Sequence, residues 1–250
     1  MTQDLKALPT LREAPPRPAG PEITLDKGAA WLAAHEKSPC FVWLRLRDLA
    51  RGGRDYDTAL SNLDRKLGTF LEHLGTLPLQ DNLVIAITSP YALDPAMPAA
   101  TPALSEPVLH VPLMIYVPGD TPKRRAGPVS LEDLAPTLLL LAKSSFPHEC
   151  TGANLFDFSR YREPIAIAGD PLVFSIRTKH CRYTWDSGRE PFTYTAREQD
   201  VPIELIDMDT YHPGEAPLNT LGTHPALAEL CRDRLLRFLR DLEKGKDRKP

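Results

Sequence analysis

The chain has 250 residues, 42% of them hydrophobic and 25% charged, with a formal net charge of −3. That describes a soluble globular chain, one domain or one plus a small appendage, able to bury roughly 70–75% of its unfolded surface. It excludes a broadly basic nucleic-acid or membrane-surface protein, and no run of about 18 apolar residues exists to span a bilayer. The 26 prolines are about twice the usual ~5%, which argues against a pure helical bundle or long ordered repeats.

Residues 1–22 carry Pro9, Pro15, Pro16, Pro18 and Pro21 with few apolar anchors, which predicts an extended arm. The same stretch lacks the apolar segment of a secretory signal, so a cytoplasmic location is expected. A helix follows from Thr24-Leu25-Asp26, capped by Thr24 or Asp26, to near Glu36-Lys37. Cys40 to Leu44 is an unbroken apolar run too short for a helix and reads as a buried strand. Tyr56, Leu60, Leu63, Leu67, Phe70, Leu71 and Leu74 return to one face of a helix at every turn. Leu83 to Ile87 reads as a second buried strand, and strand, helix, strand predicts right-handed βαβ units in a parallel sheet.

Residues 90–107 hold Pro90, Pro95, Pro98, Pro102 and Pro107 without periodicity and predict a long loop. Val111 to Val117 is the next strand. A helix from about Leu131 to Lys143 has two competing caps, Ser130 and Asp133, the latter placing Pro136 in the first turn. Leu172 to Ile176 and Arg182 to Trp185 read as paired antiparallel strands, with Ile203 to Ile206 a third. A terminal helix sets Leu227, Leu230, Cys231, Leu235, Phe238, Leu239 and Leu242 on one face. The tail cations Arg232, Arg234, Arg237, Arg240, Lys244 and Lys246 interleave with Asp233, Asp241, Glu243 and Asp247, which marks a solvated helix face.

Four cysteines (Cys40, Cys150, Cys181, Cys231) lie far apart, with no C-x-x-C among them and no H-x₃-H among seven histidines. Neither a zinc site nor a disulfide framework is expected, and the four read as free thiols in a reducing compartment.

The order of segments resembles that of a known family. Tyr56 to Leu60 through Asp64 to Gly68 is similar to the helix before the metal-binding strand of sulfatases, in the alkaline phosphatase superfamily, and Asp81 to Ser89 to the strand that follows. Glu106 to Gly119 resembles that family's strand entered through a Val-Pro-Leu step, here Val111-Pro112-Leu113. Val129-Ser130-Leu131-Glu132-Asp133-Leu134-Ala135-Pro136-Thr137-Leu138-Leu139 is the most specific match. Ile176 to Lys179, Tyr183, Glu204 to Met208 and Pro213-Gly214-Glu215 resemble the C-terminal subdomain. The likeness runs from about residue 22 to 242.

The resemblance implies a mostly parallel α/β sheet flanked by helices, lacking the N-terminal strands, over residues 23–165. A small antiparallel subdomain with a terminal helix follows over 166–250. In active sulfatases a Cys or Ser in C/S-x-P-x-R becomes the formylglycine nucleophile beside a divalent cation such as calcium. Cys40 and Cys150 do not fit that motif, and Ser145-Phe146-Pro147-His148-Glu149 lacks the arginine. The first strand with its paired aspartates is missing. After Thr88-Ser89 the family has Asp-His/Asn-Gly as metal ligands, where this chain has Pro90, Tyr91 and Ala92. Residues 90–122 contain no lysine for the catalytic role, and Asp48-Leu49-Ala50 replaces the family's Asp-Pro-His.

The expectation is a sulfatase-like chain without nucleophile, metal ligands or cofactor. Asp48, Pro90, Tyr91 and His110 are then vestigial pocket positions, and its work is that of a binding or structural subunit. The missing strands predict an uncovered sheet edge or face, and hence a homo-oligomer or a sulfatase-like partner. The competing reading is a working sulfuric or phosphoric ester hydrolase whose metal site is rearranged or completed by a partner. It would draw ligands from Asp48, Asp94, His110 and Asp170.

Overall fold

The computed structural model describes residues 21–47, 49, 55–79, 81–90, 92, 104–144, 152–157, 162–168, 173–186, 201–212, 215 and 217–246. The readings on Asp48, Tyr91, Asp94, residues 145–150 and Asp170 lie outside them, as does the arm up to residue 20. The chain forms two compact units, one of Met1–Ala99 with His110–Pro122, the other of Ala100–Leu109 with Lys123–Pro250. Among the described residues no helix is long and apolar enough to cross a membrane.

In the first unit, α1 spans Pro21–Ala34. It starts ahead of both expected caps and takes the end of the predicted arm into the helix. A proline is tolerated at the first helical position because its missing N–H has no intrahelical acceptor there. Leu25, Ala29 and Leu32 form its buried stripe, and α1 packs on α2, Tyr56–Thr76. Along α2 the predicted stripe is present, since Leu63, Leu67, Phe70 and Leu71 are half-buried and Leu74 is buried. Leu60 departs from it at 44% exposed.

Two strand expectations are corrected here. Cys40 to Leu44 forms no strand; Phe41 makes only a bridge, and Phe41 and Trp43 are exposed while Val42 and Leu44 are half-buried. The apolar run therefore hides one side, not two. The other correction concerns direction. β1 (Ile85–Thr88) and β2 (Leu113–Tyr116) pair antiparallel, with Ile85 opposite Tyr116 and Thr88 opposite Leu113. Thr88 Oγ1 donates to the Pro112 carbonyl at 2.8 Å and closes that end. The chain leaves β1 and enters β2 at the same end of the pair, so no crossover helix is needed, as a parallel pair would require. Along β2, Leu113 and Ile115 are half-buried while Met114 and Tyr116 are exposed. That alternation belongs to a sheet with one covered face.

The second unit is built on a four-stranded antiparallel sheet in the order β3-β4-β5-β6. Its strands are β3 (Ile165–Ala168), β4 (Val173–Arg177), β5 (Cys181–Asp186) and β6 (Val201–Asp207). The predicted antiparallel strands are found, and β3 is added to them. Every strand pairing among the described residues is antiparallel, so the architecture is mixed α/β with antiparallel sheets. Phe174 and Ile176 of β4 stand opposite Trp185 and Tyr183 of β5, and Leu205 of β6 pairs with Tyr183. A period of two puts these side chains on one face.

The terminal helix, Pro225–Lys246, covers that face through Ala228, Cys231, Leu235, Leu236 and Leu239. Leu227 and Leu230, expected on the buried face, are 36% and 44% exposed. The buried face is thus turned from the one its leucines suggested, toward Ala228 and Leu236. Earlier in the chain, ahead of β3, come a 3₁₀ turn, Leu131–Asp133, and a short helix, Leu134–Leu141. The helix closes on a Schellman motif, with Ser144 N–H donating to Leu139 O, Lys143 N–H to Leu140 O, and Lys143 at φ 54°.

Both competing caps are used, for different purposes. Ser130 Oγ accepts from Glu132 N–H at 3.3 Å and caps the 3₁₀ turn. The Asp133 carboxylate instead accepts from Ala153 N–H at 2.7 Å. Thr137 is fully buried; its Oγ1 donates to Asp133 O at 2.6 Å and accepts from Leu155 N–H at 2.8 Å. These bonds hold residues 131–141 to 153–155 inside the second unit. Thr137→Val keeps the volume but leaves the buried Leu155 N–H without its acceptor. It is expected to cost about 1–3 kcal/mol, read as a lower urea midpoint at unchanged slope; an unchanged midpoint would mean water replaces the hydroxyl.

Candidate functional site

Of the four predicted pocket positions the described residues include two. Pro90 is exposed just beyond β1, between half-buried Ser89 and, two residues on, half-buried Ala92. His110 is exposed, three residues before β2. Asp48 and Tyr91 lie outside the described residues. A hard divalent cation such as calcium, which the resemblance implies, needs several oxygen donors, carboxylates above all. Beyond Thr88 the described side chains offer one hydroxyl, that of Ser89, followed by a proline ring and a methyl group. This donor set does not fit the cation. Among the described residues no group of three or more His, Cys, Asp and Glu is placed to hold a metal ion.

A different constellation, missed in the sequence, occupies the second unit. Residues of β4, β5 and β6 that alternate with the apolar ones form the opposite face of the sheet, where Arg177 pairs with Arg182, Ser175 with Thr184, and Thr184 with Glu204. Arg182 is 1% exposed. Its Nη2 lies 2.9 Å from Glu204 Oε1, and its Nη1 donates to the Leu104 carbonyl at 2.5 Å. Glu106, in the short helix Glu106–Leu109, receives Arg177 Nε at 3.2 Å on each carboxylate oxygen. Arg182 Nε stands 3.9 Å from Glu106 Oε2, too far for a hydrogen bond. That Nε and Ser105 Oγ are buried with no hydrogen-bond partner among the described residues.

Two guanidinium groups and two carboxylates cancel in charge, so the layer attracts no ion as a whole. Its chemistry is that of a clamp: it fastens residues 104–106 to the strands. Tyr211 lies in the same field, and its phenol is raised above its ordinary value by burial first, then by the Glu106 charge, against the opposing pull of Arg182. The sequence signal was available, since charged residues at alternating positions of otherwise apolar strands require buried partners. Glu106, 71 residues from Arg177, could not be named as that partner from spacing.

A groove of about 290 Å³ opens beside the 3₁₀ turn, lined by Glu132, Asp133, Arg162, Glu163, Arg234 and Arg237 among others. Arg234 Nη1 is ion-paired with Glu163. Three cations and three anions line the groove, together with apolar Ile165, Ile176 and Phe238.

Residues 21–144 match the Sulfatase family model. No curated protein matches the chain in sequence. Among solved structures, a yidJ protein of Bacteroides fragilis classed as a sulfatase superposes with a TM-score of 0.64 at 16% identity, covering 91% of this chain and 59% of its own. BT1596, described as a 2-O GAG sulfatase, gives a TM-score of 0.56 at 15% identity over 94% of this chain and 54% of its own. BT4656, solved with its substrate D-glucosamine-2-N,6-O-disulfate, gives 0.54 at 21% identity over 79% and 41%. The chain thus spans about half the length of these structures, and at such identities the likeness establishes the fold. Residues 21–144 thus belong to the sulfatase family, and the shared fold carries the likeness over most of the chain.

Proposed function

We propose that this chain is a non-catalytic member of the family, working as a binding or structural subunit beside a sulfatase-like partner or further copies of itself. One observation carries the reading: the segment leaving β1, Ser89-Pro90-Tyr91-Ala92, holds no carboxylate where the family's metal ligands fall. A proline ring, a neutral phenol and a methyl group cannot replace them for a hard cation. The partner is supported by exposed apolar side chains in the first unit: Trp43 at 75%, Met114 at 55% and Tyr116 at 54%. Large apolar groups at alternate positions of a short strand pair suit docking better than hydration.

The chain as it exists is expected to give no saturable heat when titrated with calcium or magnesium and no hydrolysis of an aryl sulfate above buffer. Light scattering should show a mass above that of one chain, or a hydrophobic dye should bind. Micromolar binding of one cation, with turnover, would overturn the proposal in favour of an ester hydrolase with a rearranged site. A monodisperse monomer that binds no dye would remove the partner.

A further inference from the structure

Cys181 opens β5 and Cys231 lies in the terminal helix above it, 50 residues along the chain. Their sulfur atoms are 3.6 Å apart, both side chains are 1% exposed, and both thiols are free. The contact crosses the layer that holds helix to sheet, within the cluster of Phe174, Ile176, Tyr183, Leu205, Leu235 and Leu239. A disulfide requires the sulfurs to close by about 1.5 Å, to roughly 2.05 Å, within reach of side-chain rotation at two adjacent sites. We propose that Cys181 and Cys231 form a redox pair whose oxidation staples the terminal helix to the four-stranded sheet.

The oxidant is a small-molecule disulfide. The Cys181 thiolate attacks one sulfur of that disulfide, whose S–S bond breaks and releases one thiolate. The Cys231 thiolate then attacks the mixed disulfide at Cys181, forming the Cys181–Cys231 bond and expelling the second. Two electrons pass from the cysteines to the oxidant, and the two thiol protons end on the departing thiols. Cys181 is suited to the first attack because Thr178 and Arg177, which favour its thiolate, stay beside it when the helix lifts, and in the docked fold the partner thiol favours it as well. Its hydrogen bond with Cys231 favours the thiolate, burial opposes it, and Thr178 Oγ1 at 3.2 Å with the charges of Arg177 and Arg234 favours it again. The shared hydrogen bond and burial together hold the Cys231 thiol up.

Because both sulfurs are covered, reaction requires the helix to lift from the sheet or to be caught before it docks. Oxidation of the folded chain is therefore slow, and oxidation during refolding fast. Once made, the bond closes a long loop of the unfolded chain and restricts that state.

The test refolds the reduced full chain in oxidised glutathione, blocks remaining thiols under denaturing conditions with a maleimide, and maps the peptides. The expected result is a mass loss of two hydrogens, one cross-linked peptide joining Cys181 to Cys231, and maleimide on Cys40 and Cys150. The melting temperature should rise by roughly 10 °C and fall back on reduction. Cys181→Ala and Cys231→Ala should each abolish the cross-link, but the wild-type map decides the matter even if either variant folds poorly. Maleimide on both Cys181 and Cys231, or stable glutathione adducts on either, would overturn the proposal.

Discussion

Arg182→Ala is expected to lower the unfolding free energy by about 3–5 kcal/mol, the range for removing one partner of a buried ion pair. The guanidinium is 1% exposed and serves three acceptor groups: the Glu204 carboxylate, the Leu104 carbonyl and, at longer range, Glu106. Alanine leaves Glu204 without its cation, while Glu106 keeps Arg177. Most of the loss is therefore the desolvation of charges already buried, and less of it the attraction removed. That distinction is measurable. The double variant Arg182→Met, Glu204→Gln removes one cation and one anion together, leaves Glu106 paired with Arg177, and should recover most of the stability. Urea unfolding, which leaves ionic strength unchanged, is the measurement. A loss below about 1 kcal/mol for Arg182→Ala would mean that the layer is solvated and behaves as a surface pair.

That same layer shows where the sequence stopped being legible. The helix at Tyr56–Thr76 and the strand pair β4–β5 could be read because one physical period governs each. Runs with no period were ambiguous. Phe41-Val42-Trp43-Leu44 and Leu113-Met114-Ile115-Tyr116 are apolar at every position, which suits a strand buried on both faces. In the fold each hides only alternate residues. The direction of β2 depended on where residues 89–112 return, information that no local pattern holds. β3 was missed because Ile165-Ala166-Ile167-Ala168 is short and two of its four side chains are methyl groups. The segment order that resembles the sulfatase family was legible from motifs, and residues 21–144 match it. Arg177, Arg182 and Glu204 could be seen as charges inside strands, but their closure by Glu106 is a long-range contact made only by folding.

Leu235→Ala and Leu227→Ala decide between two faces of the terminal helix. Both replace the same side chain, and both replacements slightly favour an isolated helix. Leucine spacing alone places the two together on the buried side. In the fold Leu235 is fully buried among Phe174, Ile176, Tyr183 and Trp185, while Leu227 is 36% exposed. The helix is the cover of the sheet's apolar face, so truncation at Leu235 opens a cavity that neighbouring rings fill poorly. Phe174 and Trp185 are already stacked at 5.4 Å and have little freedom to move in. The expected loss at Leu235 is about 2–5 kcal/mol, whereas Leu227 should change stability by no more than about 0.5 kcal/mol. Trp185 lies in the affected cluster, so its fluorescence during urea unfolding reports the change directly. Equal losses at the two positions would mean that Leu227 shares the buried face with Leu235, as the leucine spacing suggests.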